Sequence, residues 1–163
     1  MRAAGAWLWP PDIDEAWLAR WLPVKAVELF RAAPRYDQQH ALRVLRTLQE
    51  QGHNSPDLMA AALLHDVGKT ALRPGSLRLW HRVAVVLMRA VEPDLVQRIG
   101  AKEEQGWRRP FYVQQHHAAL GARLAQEAGC SARTVELISL HEDPPRLADD
   151  PLLAALKAAD GTN

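Results

Sequence analysis

Cysteine is almost missing from this sequence: Cys130 stands alone among 163 residues. No internal disulfide can form and no cysteine zinc cluster can be built, which fits a reducing compartment. Long apolar runs are missing too. The most apolar stretch, Val83 to Met88, is far shorter than the ~20 residues that cross a bilayer. With Arg82 and Arg89 on either side, a core helix is expected there rather than a membrane-surface one. Nor is there an excess of charge. The formal net charge is +1, with acids and bases spread along the chain, so nucleic acid is not an expected partner. Met1 to Trp9 holds one arginine and a short apolar stretch, but two prolines and acidic residues follow at once. No secretory leader is expected, and the sequence reads as a cytoplasmic protein without a membrane span. Lysine is scarce beside arginine, 4 against 16, so a lysine kept at Lys69 is informative.

Hydrophobic residues make up 48% and charged residues 24% of the chain, suited to one compact core at this length. No repeat or low-complexity tract occurs, and no sustained period-2 alternation signals a sheet. Prolines and glycines instead separate segments of 3.6-residue period. Asp12 can cap a helix to about Leu22, and Pro23 opens another to about Ala32. A longer helix follows Pro34 to about Gln51. Ser55 and Pro56 open an apolar helix that reaches His65 and Asp66 before Gly68. Further helices are expected near Leu77 to Val91, from Pro93 towards Lys102, from Pro110 to Gly129, from Ser131 to Pro144, and from Asp150 to Asp160. Eight or nine helices make an all-α domain, with residues 1–33 as a helical extension packed on the core formed by residues 34–163.

The seven histidines carry most of the available chemistry. His40 shares a helical face with Val44, Leu45 and Leu48, and His117 with Val113, Leu120, Gly121 and Leu124. His65 and Asp66 leave an apolar helix together. His141 lies over Leu137 and Ile138, and Asp160 over Leu153 and Leu156. An ionised carboxylate on an apolar face is costly to bury unless a cation or strong donors lie beside it. Imidazole with carboxylate suits manganese, iron, zinc or similar ions, and the lack of thiolate argues against a closed structural zinc site. A single inward histidine is more often a core residue bonded to a backbone carbonyl. His81 reads that way, His53 as a turn residue, and His116 as a surface or supporting histidine. Spacing alone does not show that the others converge.

The segment AALLHDVGK, Ala61 to Lys69, resembles the core motif of the HD-domain superfamily of metal-dependent phosphohydrolases. The resemblance extends to HALRV at His40 and to KAAD at Asp160, and so covers about Arg35 to Asp160. It implies a helical HD domain in which His40, His65, Asp66 and Asp160 hold one ion. QHHAALGARL, Gln115 to Leu124, and VELISLHED, Val135 to Asp143, resemble the segments that supply further histidines in two-metal branches. Those branches include the HD-GYP cyclic-dinucleotide phosphodiesterases and a family of dinucleoside-tetraphosphate hydrolases. By this likeness His117 and His141 would hold a second ion, with Asp66 bridging the two and a metal-activated water as nucleophile.

The resemblance implies one or two divalent ions, iron or manganese ahead of magnesium, zinc, nickel and cobalt. It also implies hydrolysis of a phosphoester or phosphoanhydride in a nucleotide or other phosphorylated small molecule. Asp66 and Lys69 are the expected catalytic residues. Lys69, and Arg43 one turn beyond His40, are the candidate phosphate contacts; Arg108 and Arg109 beside Trp107 are expected at the surface. The chain departs from the HD-GYP pattern in several places. HEDPP stands where GYP would follow, Tyr36 where a glutamate would precede His40, and three residues follow Asp160 where an arginine-bearing segment would lie. A substrate other than cyclic di-GMP is therefore expected. Two rivals belong to other classes: a non-catalytic nucleotide- or metal-binding sensor using the same pocket, and a helical scaffold with ordinary core histidines.

Overall fold

The computed structural model describes residues 14–71, 109–144 and 150–163. Among these the chain is all-helical, with seven α-helices, one 3₁₀ turn and no strand. The α-helices are α1 (Glu15–Leu18), α2 (Val24–Ala32), α3 (Arg35–Glu50), α4 (Pro56–Leu64), α5 (Arg109–Glu127), α6 (Ala132–Leu140) and α7 (Pro151–Gly161), and the 3₁₀ turn is Val67–Ala71. The helices expected near 77–91 and from 93 onward lie outside the described residues, as do His81, Trp107 and Arg108.

Local chemistry sets most of the boundaries. Pro56 and Pro151 occupy the first helical turn of α4 and α7, where the missing N–H costs nothing. Ser131 accepts a hydrogen bond from the Thr134 amide, and Asp150 accepts from Leu152 and Leu153, satisfying donors that a helix start leaves free. Ser55 stands at the cap of α4 but makes no side-chain cap bond. Glycines in the left-handed conformation follow α3 and α5, Gly52 at φ 87° and Gly129 at φ 86°. The first helix is shorter than the sequence suggests. Asp14 caps it, Asp12 lies outside the described residues, and turns replace helix from Ala19 to Leu22. Pro23 disfavours helical backbone at the residue before it, which keeps α1 from continuing.

Helix α4 is the centre of the packing. Its residues from Leu58 to Leu64 are all buried, as expected for a helix that is apolar all round. It packs against α2, α3, α6 and α7. Burial of each large apolar side chain contributes about 1.5–3 kcal/mol, so Leu58, Met59, Leu63 and Leu64 hold this helix firmly in place. Leu18, Leu22, Ala26, Val27 and Phe30 belong to the same core, which ties the described part of the N-terminal segment to the rest. Helix α5 packs on the 3₁₀ turn and on α6, while α7 packs on α3, α4 and α6. Among the described residues no helix is long and apolar enough to cross a membrane.

Candidate metal centre

Because α4 is fixed on every side, its C-terminal end is a rigid platform. His65 is the C-cap of α4 and is fully buried, with Asp66 beside it. Helix α3 brings His40 to the same place and α7 brings Asp160. The His40 Nε2 lies 2.8 Å from Asp160 Oδ1, His65 Nε2 lies 3.3 Å from that oxygen, and the two Nε2 atoms are 3.2 Å apart. Three donor atoms from three helices thus face one point.

Asp66 joins this trio to a second group. Its Oδ2 lies 3.8 Å from His65 Nε2, and its Oδ1 lies 3.4 Å from His117 Nε2 on α5. The His141 ring, at the C-cap of α6, sits between the two groups, with centroids 5.2 Å from His65 and 5.3 Å from His117. One donor atom from each of Asp66, His117 and His141 falls within a 4.8 Å cluster, as do those of His40, His65 and Asp160. All six residues that the sequence singled out as ligands therefore meet in one place.

The ring orientations have a common cause. His65, His117 and His141 each donate Nδ1–H to the carbonyl oxygen three residues earlier, Ala62 at 3.0 Å, Gln114 at 2.9 Å and Ile138 at 2.7 Å. A carbonyl only accepts, so Nδ1 must carry the proton. At the ends of α4 and α6 these bonds also satisfy carbonyls that have no helical partner. Each Nε2 is left facing the cluster, the arrangement that a carbonyl accepting the other ring N–H imposes on metal-binding imidazoles.

Charge is distributed unevenly. For Asp66 burial disfavours ionisation, but His65 and Lys69 outweigh it and hold the carboxyl well below the usual range. Asp160 is likewise held low, against the effect of burial, by its hydrogen bonds with His40 and His65. Burial opposes a charge on His65, yet the bond to Asp160 and the nearby carboxylates leave its pKa raised. Burial and the neighbouring His65 push His141 down to about 4, and burial with the charge of Lys69 lowers His117. The C-terminal ends of α4, α6 and α7 also meet here, and their partial negative charges favour a cation.

These donors fit a bound metal ion. Atoms on neighbouring positions around an ion at about 2.1 Å lie roughly 3.0–3.4 Å apart. The separations of His65 from His40 and Asp160, 3.2 and 3.3 Å, have that spacing, and the hydrogen-bonded His40–Asp160 pair at 2.8 Å falls just short of it. His117 Nε2 and His141 Nε2 are buried and have no hydrogen-bond partner, at a cost of about 1–3 kcal/mol for each such group. A cation would satisfy both, and a neutral imidazole is the form it needs.

Lys69 differs from a simple solvent-facing charge. Its Nζ lies 2.5 Å from Asp66 Oδ2, and its side chain is only 15% exposed. Arg43 is half-buried on α3, three residues beyond His40. His116 packs on Tyr112, the ring centroids 4.4 Å apart, and its Nε2 is buried without a hydrogen-bond partner. His53 lies in the turn after α3, its amide bonded to the Leu48 carbonyl. Arg109 begins α5, and its side chain lies outside the described residues. Sequence reasoning missed Glu142, whose Oε1 lies 3.6 Å from His117 Nε2 and 4.0 Å from His141 Nε2. The only signal was its position next to His141, in a run of charges and prolines that reads as surface. Compared with family models, curated proteins and solved structures, the chain matches none of them.

Proposed function

We propose that the chain is a metal-dependent phosphohydrolase of the HD-domain kind, acting on a phosphoester or phosphoanhydride of a nucleotide-type substrate. The observation that carries this reading is Asp66. Its two carboxylate oxygens face two different groups of imidazole and carboxylate donors, as a ligand shared between two neighbouring ions must. Divalent ions bound there, iron or manganese first by the resemblance to HD domains, would supply an acidified water and neutralise phosphoryl charge.

The protein's own residues have distinct tasks in this reading. His40, His65 and Asp160 bind on one side of Asp66, and His117 and His141 on the other. The carbonyl bonds of Ala62, Gln114 and Ile138 keep the histidine donor atoms aimed inward. Lys69 is the only lysine at the cluster among the described residues, and a charge-assisted hydrogen bond would take its ammonium from Asp66 to a phosphoryl oxygen. Arg43 is the second candidate phosphate contact, and its role is the less constrained of the two.

The test is metal content by elemental analysis, together with turnover of a generic phosphodiester and a panel of nucleotides. Asp66→Ala is expected to lose both bound metal and hydrolysis. A variant that kept the metal content and turnover of the parent chain would overturn the proposal.

A further inference from the structure

We propose that Glu142 is a metal ligand, completing the second centre with Asp66, His117 and His141 as a set of two imidazoles and two carboxylates. This rests on reading the cluster as a metal site, and does not depend on what reaction occurs there.

Two acceptor groups face one another here. The Nδ1 protons of His117 and His141 are committed to the carbonyls of Gln114 and Ile138, so the neutral rings present Nε2 lone pairs. What they face is also an acceptor: Asp66 Oδ1 at 3.4 Å from His117, and Glu142 Oε1 at 3.6 Å from His117 and 4.0 Å from His141. Lone pairs opposite carboxylate oxygens repel unless a donor or a cation lies between them. The rings are 1% and 5% exposed, which keeps both Nε2 atoms from bulk water. A cation would satisfy all four atoms at once.

The chain path explains how consecutive residues reach one site. His141 ends α6, and a turn follows in which the Asp143 amide bonds to the Leu140 carbonyl. Pro144 and Pro145 come next in the sequence and oppose any further helix. From this turn Glu142 reaches across to His117. One oxygen of Glu142 also clusters within 4.8 Å of donor atoms of His141 and Asp160. Glu142 therefore lies at the rim between the two centres, with its side chain 45% exposed, and closes the second one on its solvent side. A second carboxylate adds a hard oxygen ligand, which favours manganese(II) or iron(II) over an ion preferring a pure nitrogen set.

The experiment is titration of the chelator-stripped full chain with manganese(II) alone, followed by calorimetry and by the manganese spin-resonance signal. The parent chain is expected to take up two ions per chain with a spin-coupled signal. Glu142→Ala should retain the first ion and bind the second at least about ten-fold more weakly, the smaller end of what loss of a supporting residue causes at metal sites. The coupled signal should fade in step, and Glu142→Asp should recover part of it. Glu142→Gln keeps the shape without the charge and should behave like Glu142→Ala, so a folding defect cannot imitate the result. Two ions bound at parent affinity by both Glu142→Ala and Glu142→Gln would overturn the inference. A parent chain that takes up only one ion would also overturn it, while leaving a single metal centre intact. A parent chain that takes up none would overturn the metal reading as a whole.

Discussion

Gly68 and Gly121 meet backbone to backbone. A Cβ on Gly68 would fall 1.9 Å from the carbonyl oxygen of His117 and 2.6 Å from the Gly121 nitrogen, and a Cβ on Gly121 would fall 3.1 Å from the Gly68 nitrogen. The 3₁₀ turn after Asp66 thus lies directly on α5, and this contact sets how far Asp66 stands from His117.

Gly68→Ala should therefore separate the two groups of donors. The atoms in the way are backbone and cannot rotate aside, so α5 or the turn must move. Overpacking of this kind costs about 1–3 kcal/mol or more, which chemical denaturation can read. The same variant should lose the second ion while His40, His65 and Asp160 keep the first. Gly121→Ala meets a longer contact and should show a smaller version of both effects. Equal metal content in Gly68→Ala and the parent chain would show that the approach of α5 does not shape the site.

Lys69 makes a prediction of opposite signs for two measurements. Its ammonium is paired with Asp66, so it competes with any cation for that carboxylate. Lys69→Met should bind manganese(II) more tightly than the parent chain. If the ammonium also holds a phosphoryl oxygen, kcat/KM should fall by about 10–100-fold, the equivalent of the ~1.5–3 kcal/mol of a charged hydrogen bond. Tighter metal binding with unchanged turnover would leave Lys69 as a counter-charge alone.

Much of the cluster is legible in the sequence because its members stand where an apolar pattern makes a polar residue conspicuous. His65 and Asp66 follow seven buried residues of α4, and His141 follows Leu137 and Ile138. The pattern fixes which way each side chain turns relative to its own helix. It does not fix how α3, α5, α6 and α7 meet, since that depends on tertiary contacts such as Gly68 on Gly121. Glu142 was missed for the same reason: a half-exposed acid beside two prolines has no apolar pattern to stand out from, and only packing brings His117 to it. The Lys69–Asp66 pair was hidden as well, because the 3₁₀ turn, rather than a solvent-facing helix end, folds the lysine back.

Metal removal should change the pH dependence of stability above neutrality. In the metal-free chain His117 and His141 have lowered pKa values and His65 a raised one, whereas all three return to about 6.5 on unfolding. Below about pH 6.5 the unfolded chain binds more protons at His117 and His141, so those two lower stability as the pH falls. The contribution of His65 has the other sign: it is fully present below about pH 6.5 and is lost as the pH rises through its folded value. Stability of the metal-free chain should therefore peak near neutrality. With manganese(II) bound, every coordinating nitrogen must be unprotonated, so stability should climb with pH and then level off. Melting temperatures from about pH 5 to 9, with and without chelator, check this across the histidine range. A metal-free chain that kept gaining stability above neutrality would contradict a raised His65.

Metal removal should loosen only the last turn of α7. Its first half is held by other means: Asp150 caps the helix and pairs with Arg133, and Leu153 and Leu156 are buried. The last turn buries only the small Ala159 and otherwise depends on Asp160, bonded to His40, and on Asn163, which reaches Thr47 and the Ala159 carbonyl. Once chelation leaves the charges around Asp160 without a cation, local opening of residues 157–163 should become easier. Amide exchange there is expected to rise about ten-fold, the equivalent of about 1.4 kcal/mol of local stability, with residues 152–156 unaffected. Asp160→Ala should show the faster exchange whether or not metal is present. Unchanged exchange at the last turn of the parent chain after chelation would remove Asp160 from the ligand set, whereas a rise along the whole helix would mean that capping and core packing do not anchor its first half.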